Sequence, residues 1–312
     1  PAPLSSAAMS SRTFGPKTHL VIFTSMQILT YFDRGALAQT LNNIAHAYDL
    51  NESQKGALGS SFTAGFAVAS PILAYLGQRS PHAPLYCIGG GLLFWVTANC
   101  LTGILLGPDG PGWYVPLLLL RVLGGVGEAG FCSLGPPIID DSAPPESRGT
   151  YLGIYFMAIF CGQALGFVVG GAVVGHFGEW YQVKWLYFAE GVAMAPLALL
   201  CVLQPHRFKV KQAPNLESSL TRSSFPDIAA MALDRVSSEA AEETPPPAPP
   251  AGMCAQLGTL LRNPRFSCAG FAYACYMFTL GGVSFWGPVY VQDVLSMSEA
   301  SSGLVIGGVT VV

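Results

Sequence analysis

Residues 117–141 read LLLLRVLGGVGEAGFCSLGPPIIDD, a long apolar run interrupted by two ionisable side chains, Arg121 and Glu128. Their separation of seven residues puts both on one helix face, two turns or roughly 10 Å apart. A charge inside a membrane helix costs about 2.5–3.5 kcal/mol or more, and it faces a cavity or a partner. A second charged pair, Asp33-Arg34, closes the first apolar segment. Two apolar helices with inward charge point to a transport pathway rather than to passive spans.

The rest of the chain fits a membrane setting. Of 312 residues, 51% are hydrophobic and only 11% are charged, with a mean hydropathy of +0.45; a soluble domain carries about 25% charge. The apolar stretches are long and do not alternate, which predicts spanning helices and not a barrel. The 36 glycines suit helices that pack closely in lipid. A net charge of −3 argues against a nucleic-acid partner. Cys87, Cys100, Cys132, Cys161, Cys201, Cys268 and Cys275 lie in apolar segments and Cys254 in a polar one. No metal-ligand spacing or paired framework emerges, and they read as small packing residues. Neither a metal nor another cofactor is expected. With no nucleophile–base set, the chain does not read as an enzyme.

Six spans are predicted first, at 18–38, 54–77, 84–106, 113–139, 149–176 and 183–204. A polar stretch follows over 205–262, then a seventh span at 264–290 and an eighth that begins near 298. The last residues, GLVIGGVTVV, cut that helix short, and the chain reads as a fragment of a longer protein. The organisation is therefore a tail (1–17), a six-helix bundle (18–204), a linker (205–262) and the start of a second bundle (263–312). The linker is rich in Ser, Glu, Ala and Pro and contains TPPPAPPAG. Such a composition cannot bury enough apolar area to fold alone, so a disordered spacer is expected. Eleven Lys and Arg fall on the side of the N-terminus, and only Lys55 and Lys184 on the other. The positive-inside rule then places tail and linker in the cytoplasm. His46 and His176 fall in loops on the opposite side and read as solvated. No cleavable signal peptide is expected, since no small-residue cleavage site follows the first apolar segment. Six helices, a long connection and further helices form the layout of transporters whose halves rock around a midplane site.

Four stretches carry a more specific resemblance: YFDRGALAQTL (31–41), RVLGGVGEAGFCSLGPPIIDDSAPPESRGTYLGIYF (121–156), GQALGFVVGG (162–171) and LRNPRFSCAGFAYACYMFTLGGVSFWGPVYV (261–291). Together they resemble the major facilitator superfamily, and within it the Spinster family of lipid transporters. The resemblance implies an all-α polytopic fold, with the N-terminal six-helix half followed by the seventh helix and part of the eighth. Arg121 to Ala129 is similar to the superfamily's arginine-containing motif, with Glu128 where a small residue is usual. Gly153, Gly162, Gly166 and Gly170-Gly171 are similar to an antiporter glycine motif, except that Phe167 stands where that motif has proline. Gly162, Gly166 and Gly170 repeat every four residues and let another backbone approach, and close packing is their main reading. The loop AYLGQRSPHAPLY (74–86) departs from the family pattern, with Gln78 where an aspartate joins a charge cluster. That implies a weaker inner lock, or one built from Asp140, Asp141, Glu146 and Arg148.

The resemblance implies that Asp33, Arg121 and Glu128 contribute to proton or substrate coupling. A carboxylate that alternates between an arginine-paired state and a protonated state is the minimum needed for proton coupling. The plainer reading of Asp33-Arg34 is a fixed ion pair bracing two helices. A guanidinium also holds phosphate bidentately, so Arg121, or equally Arg34, suits the head of a lysophospholipid or sphingoid phosphate. Glu190 is a third intramembrane carboxylate, which either lines the cavity or caps a neighbouring helix. Trp286, beside Pro288, reads as a gate or an interfacial anchor. Gln163 and Asn99 read as helix-packing hydrogen bonders.

The expected function is secondary active transport of a lysophospholipid or sphingoid lipid, linked to protons. A facilitator carrier of a sugar or organic anion is the alternative, and a non-transporting scaffold or receptor is the third reading. The partners expected are a lipid or other small molecule, protons and the membrane itself, which the resemblance implies is the plasma or endolysosomal membrane. The oligomeric state is open.

Overall fold

The computed structural model describes residues 13–105, 114–177, 183–208 and 253–311, and every regular element among them is helical. Helix α1 (Pro16–Gln39) starts with Pro16 in its first turn, where a missing N–H costs nothing. It stops at Thr40, whose hydroxyl donates back to the Ala36 carbonyl at 2.8 Å. A short helix, α2 (Leu41–Tyr48), follows and ends at Asp49, with φ 54° in the left-handed region. Helix α3 (Glu52–Leu76) opens with a capping box. The Gln54 amide donates to the Asn51 side chain, and the Asn51 amide donates to the Gln54 side chain, each at 2.9 Å. Then come α4 (Ala83–Leu105), α5 (Tyr114–Ser142), α6 (Arg148–Phe177) and α7 (Val183–Leu203).

These helices match the predicted spans with two differences. α2 was expected to be loop; it puts His46 on a helix, exposed to solvent. α5 runs on past the expected end at 139 to Ser142, so Asp140 and Asp141 sit in its last helical turn. The two prolines remove N–H donors but do not break the helix, because α5 is held between α3 and α4 along its length.

The chain divides into two compact units, residues 1–211 with 279–312, and residues 212–278. In the second, α8 (Met253–Arg262) leads into the start of α9 (Pro264–Asp293). Asn263 joins them: its side-chain oxygen accepts from the Arg265 amide at 3.1 Å. Disorder expected up to residue 262 therefore does not hold over 253–262, where Leu257, Leu260 and Leu261 recur at helical spacing. Residues 209–252, including the proline run, lie outside the described residues.

In the first unit, α1 lies along α6, α3 along α5, and α4 against both α5 and α7; α10 (Glu299–Val311) lies along α6. Lipid offers no hydrophobic drive between helices, so close fit and dispersion must hold them. Glycines provide the fit. A Cβ at Gly127 would sit 2.6 Å from the Gly91 carbonyl oxygen, where α5 crosses α4, and one at Gly65 would collide with the Val122 carbonyl, where α3 crosses α5. Val68, Phe94, Ile104, Leu119, Phe156 and Leu203 point outward and are exposed, a surface that suits lipid and not water.

Among the described residues, six helices are long and apolar enough to cross a membrane: α3, α4, α5, α6 with the turn before it, α7 and α9. α1 is not one of them, although its 24 residues reach about 36 Å. Its polar residues His19, Gln27, Thr30, Asp33 and Gln39 lower its hydropathy, and all are buried. They face the interior of the bundle.

Two apolar clusters fill that interior. One holds Phe23 and Met26 of α1, Leu92 and Trp95 of α4, Phe131 of α5, Tyr155 of α6 and Met194 of α7. The other holds Leu37, Leu41, Leu58, Leu117, Val174, Tyr187 and Val289. Each charged helix crosses from one cluster to the other. α1 passes Met26, then Asp33-Arg34, then Leu37; α5 passes Leu117, then Arg121 and Glu128, then Phe131; α7 passes Tyr187, then Glu190, then Met194. The charges form a layer between two apolar plugs.

Candidate functional site

Consecutive residues on a helix point about 100° apart, so Asp33 and Arg34 cannot share one partner. Each finds its own on α5. Arg121 Nη1 donates to both Asp33 oxygens at 2.8 Å, and Arg34 Nη2 donates to Glu128 Oε1 at 2.7 Å. The two ion pairs tie α1 to α5. The rotation of α1 is set on its other side by α6. A Cβ at Gly162 would lie 2.9 Å from Ile28 Cα, one at Gly166 2.7 Å from the Ala36 amide nitrogen, and one at Gly170 3.3 Å from Ala36 Cα. Gly35 in return meets the main chain of Gln163 and Phe167. The glycine stripe thus places the charges as well as packing two helices.

The pairs differ in exposure. Asp33 is 1% and Arg121 4% exposed, and the Tyr187 ring lies 4.8 Å from the Arg121 guanidinium. Glu128 is fully buried and also accepts the Cys132 thiol at 3.2 Å. Arg34 keeps 32% of its side chain exposed, between the rings of Tyr31 at 4.4 Å and Phe62 at 4.8 Å. The two arginines expected to be equal candidates for an anionic head are therefore unequal: Arg121 is enclosed and Arg34 is open. Glu190 is 4% exposed and neither of its oxygens has a protein hydrogen-bond partner, so it caps no helix. It lies in the charged layer, within the electrostatic reach of Asp33 and Arg121.

A second polar group closes the far end of α1, in the same unit. Gln39 Nε2 donates to Ser302 Oγ at 2.6 Å and to the Glu299 carbonyl at 2.9 Å. Gln292 Nε2 donates to the Gln39 carbonyl at 3.1 Å, to Glu299 Oε2 at 3.0 Å and to Ser302 Oγ at 3.2 Å. Asn42 Nδ2 donates to Asp293 Oδ1 at 2.8 Å and Gln292 Oε1 at 3.1 Å. α1 and its continuation are thereby fastened to α9 and α10. Trp286 is 38% exposed beside Gly56; its neighbour Phe285 presses on Gly59 and fills the seam between α3 and α9. At the opposite end Gln78 is exposed, and Arg148 faces Asp140 at 3.8 Å. Among the described residues no group of three His, Cys, Asp or Glu is placed to hold a metal ion.

Sequence reasoning missed Tyr31, Phe62, Tyr187 and Cys132 around the charges. Two had a signal: Cys132 lies one turn after Glu128, and Tyr187 nearly one turn before Glu190, spacings that share a helix face.

The model of the Major Facilitator Superfamily matches residues 23–312, and the chain belongs to that superfamily, a family of membrane transporters and not of enzymes. Its relatives bear the spinster name. It is 30% identical over 323 residues to "Probable sphingolipid transporter spinster homolog 3" of Arabidopsis thaliana, covering 97% of this chain and 59% of that protein. It is 27% identical over 273 residues to "Protein spinster homolog 1" of Homo sapiens, covering 87% and 45%. The chain thus spans about half to three fifths of the length of these relatives. The fold is similar to that of a bacterial homologue of the human lysosomal transporter Spinster, solved in an inward-facing and unoccupied conformation. The TM-score is 0.65 at 19% identity, over 95% of this chain and 60% of that one. A D-xylose–proton symporter matches with a TM-score of 0.59 at 17% identity, over 94% and 65%.

Proposed function

We propose that the intact protein is a proton-linked secondary transporter of a lysophospholipid or sphingoid lipid, working by alternating access. The observation that carries this reading is the charged layer: two ion pairs buried between apolar plugs, one enclosed and one open. The guanidinium of Arg34, one nitrogen of which holds Glu128, keeps an exposed edge for a phosphate or other anionic head, and the rings beside it offer an apolar wall to the single chain. The sphingolipid-transporter name of the Arabidopsis relative supports the same substrate class. For the proton, protonating Asp33 or Glu128 removes the charge that holds its arginine and loosens α1 from α5. In this reading the N-terminus and the 205–262 linker are cytoplasmic, the Gln39–Gln292 closure seals the opposite side, and the membrane is the plasma or an endolysosomal one.

The test is lysolipid uptake into proteoliposomes by the intact protein, with and without a pH gradient, for wild type and Glu128→Gln. Gradient-driven uptake that the substitution abolishes is expected. Uptake indifferent to the gradient defeats proton coupling. No lipid uptake, with uptake of a sugar or organic anion instead, replaces the substrate class. No uptake of any solute leaves a scaffold or receptor.

A further inference from the structure

We propose that Glu190 holds a proton in this state and that Arg121 exchanges partners between Asp33 and Glu190, so that the two carboxyls form one relay. This rests on the proton-linked reading above. The argument begins with a count of charges. Two guanidinium groups, Arg34 and Arg121, face three carboxyls, Asp33, Glu128 and Glu190, in one buried layer. Arginine does not give up its proton in a protein. Asp33 and Glu128 each have a guanidinium, and Glu190 has none. An ionised carboxylate buried without a partner is strongly unfavourable, and such a group neutralises instead.

Among the described residues, the charges that act on Glu190 are those of Asp33, Arg121 and Glu128. From α1, Asp33 acts on Glu190 with like charge and Arg34 is committed to Glu128; from α5 come Arg121 and Glu128. On its own helix Tyr187 is one turn away. α4, packed along α7, has no acid or base except Tyr86, Cys87 and Cys100, and Cys100 abuts Gly191. The main chain of Asp33 is near enough to act on Glu190, but neither Glu190 oxygen has a partner at hydrogen-bond geometry.

Arg121 is built to change hands. One nitrogen, Nη1, serves both oxygens of Asp33, while Nε and Nη2 have no protein acceptor. Half of the fork is spare, within electrostatic reach of a carboxyl that lacks a donor. The exchange is balanced: the O–H bond of Glu190 breaks and one forms on Asp33, while the guanidinium leaves the Asp33 carboxylate for that of Glu190. Net charge is unchanged. The mechanical result is not, since Asp33 ties α5 to α1 whereas Glu190 ties it to α7. Moving one proton thus removes one of the two ion pairs that tie α1 to α5 and leaves Arg34–Glu128 as the other.

Infrared spectroscopy of the intact protein in lipid nanodiscs reads this without substrate or gradient. A carboxylic-acid C=O band present in wild type and lost in Glu190→Gln is expected. Asp33→Asn, which keeps Glu190, should lose the same band because Arg121 then claims Glu190. Isotopic labelling of the glutamate carboxyls identifies the band if Glu190→Gln does not fold. No glutamic-acid band in wild type overturns the resting proton; a band untouched by Asp33→Asn overturns the exchange. A protein that ignores a pH gradient in proteoliposomes yet shows both band losses refutes the proposed function and keeps the relay.

Discussion

Replacing Arg121 with glutamine leaves Asp33, 1% exposed, as a buried carboxylate stripped of the Nη1 donor that lies 2.8 Å from each of its oxygens. Breaking a buried ion pair from one side costs about 3–5 kcal/mol, because the surviving charge keeps its desolvation penalty and loses its compensation. Asp33→Asn is the milder change. It strands Arg121, but Glu190 stands ready to ionise and receive it, so a loss of about 1–2 kcal/mol is expected, near that of one charged hydrogen bond. The double variant removes both charges and leaves Glu190 neutral. Its loss should stay below that of Arg121→Gln, giving a coupling of up to about 3 kcal/mol between the two sites. Denaturant unfolding in mixed micelles supplies the four stabilities, provided that the slope is unchanged. If the double variant loses the sum of the two single losses to within about 0.5 kcal/mol, the two residues do not compensate each other in the folded protein. If Asp33→Asn costs as much as Arg121→Gln, Glu190 gives Arg121 no relief.

Three further outcomes are expected. Gly166→Val drives a side chain into the Phe32 carbonyl and the Ala36 main chain and should cost about 3 kcal/mol or more; Gly153→Ala, with nothing within 4 Å, should gain about 0.5–1 kcal/mol. Thermal melts in detergent check both, and a Gly166→Val protein as stable as wild type refutes the α1–α6 fit. Gln292→Ala removes an amide whose two N–H groups are shared among Gln39, Glu299 and Ser302; at about 0.5–1.5 kcal/mol for each of the two, the closed population should fall about fivefold or more. Spin labels on α2 and on the α9–α10 turn report it, and an unchanged distance distribution counts against the closure. Arg34→Lys loses the fork and most of the contact with Tyr31 and Phe62, worth about 1–2 kcal/mol, so KM for an anionic lysolipid should rise about tenfold. An unchanged KM places the headgroup elsewhere.

The spans were legible because apolar length is written locally, and α1 was legible because Asp33-Arg34 stands out at its end. The membership of the charged layer was legible for the same reason: Arg121, Glu128 and Glu190 are expensive where they are. The pairing was not. Which carboxylate meets which arginine depends on the rotation of α1, which is set by glycine contacts with α6 more than a hundred residues away in the chain. The closure around Gln39 and Gln292 left no trace either. Glutamine, asparagine and serine near helix ends are ordinary, and their meaning here comes from partners some 250 residues distant. The passage through Pro136-Pro137 was legible, since the apolar run continues across both prolines; only the last turn, to Ser142, was not, and there flanking helices hold α5 in line.

Stability alone does not account for the charged layer. Well-packed apolar residues in place of a buried ion pair are commonly as stable or more so. A static brace would also satisfy its own atoms, since buried polar groups in folded proteins are overwhelmingly hydrogen-bonded. This layer does not: Arg34 Nε, Arg121 Nε and Nη2, Glu128 Oε2 and both oxygens of Glu190 have no protein partner. The surplus donors are on the arginines and the surplus acceptors on the carboxyls, so each helix in the layer holds a group that another helix can use in a different arrangement. α1 is the element whose hold on α5 such an exchange weakens, and α1 is also the helix fastened to α9 and α10 by Gln39 at its far end. In the proposed proton-linked cycle, a proton arriving at Asp33 loosens α1 in the middle of the bundle, and the closure at its end then has to hold against a helix braced to α5 by Arg34–Glu128 alone. Under the proposed proton-linked reading, that shared helix couples the proton to the closed end without requiring the two sites to touch.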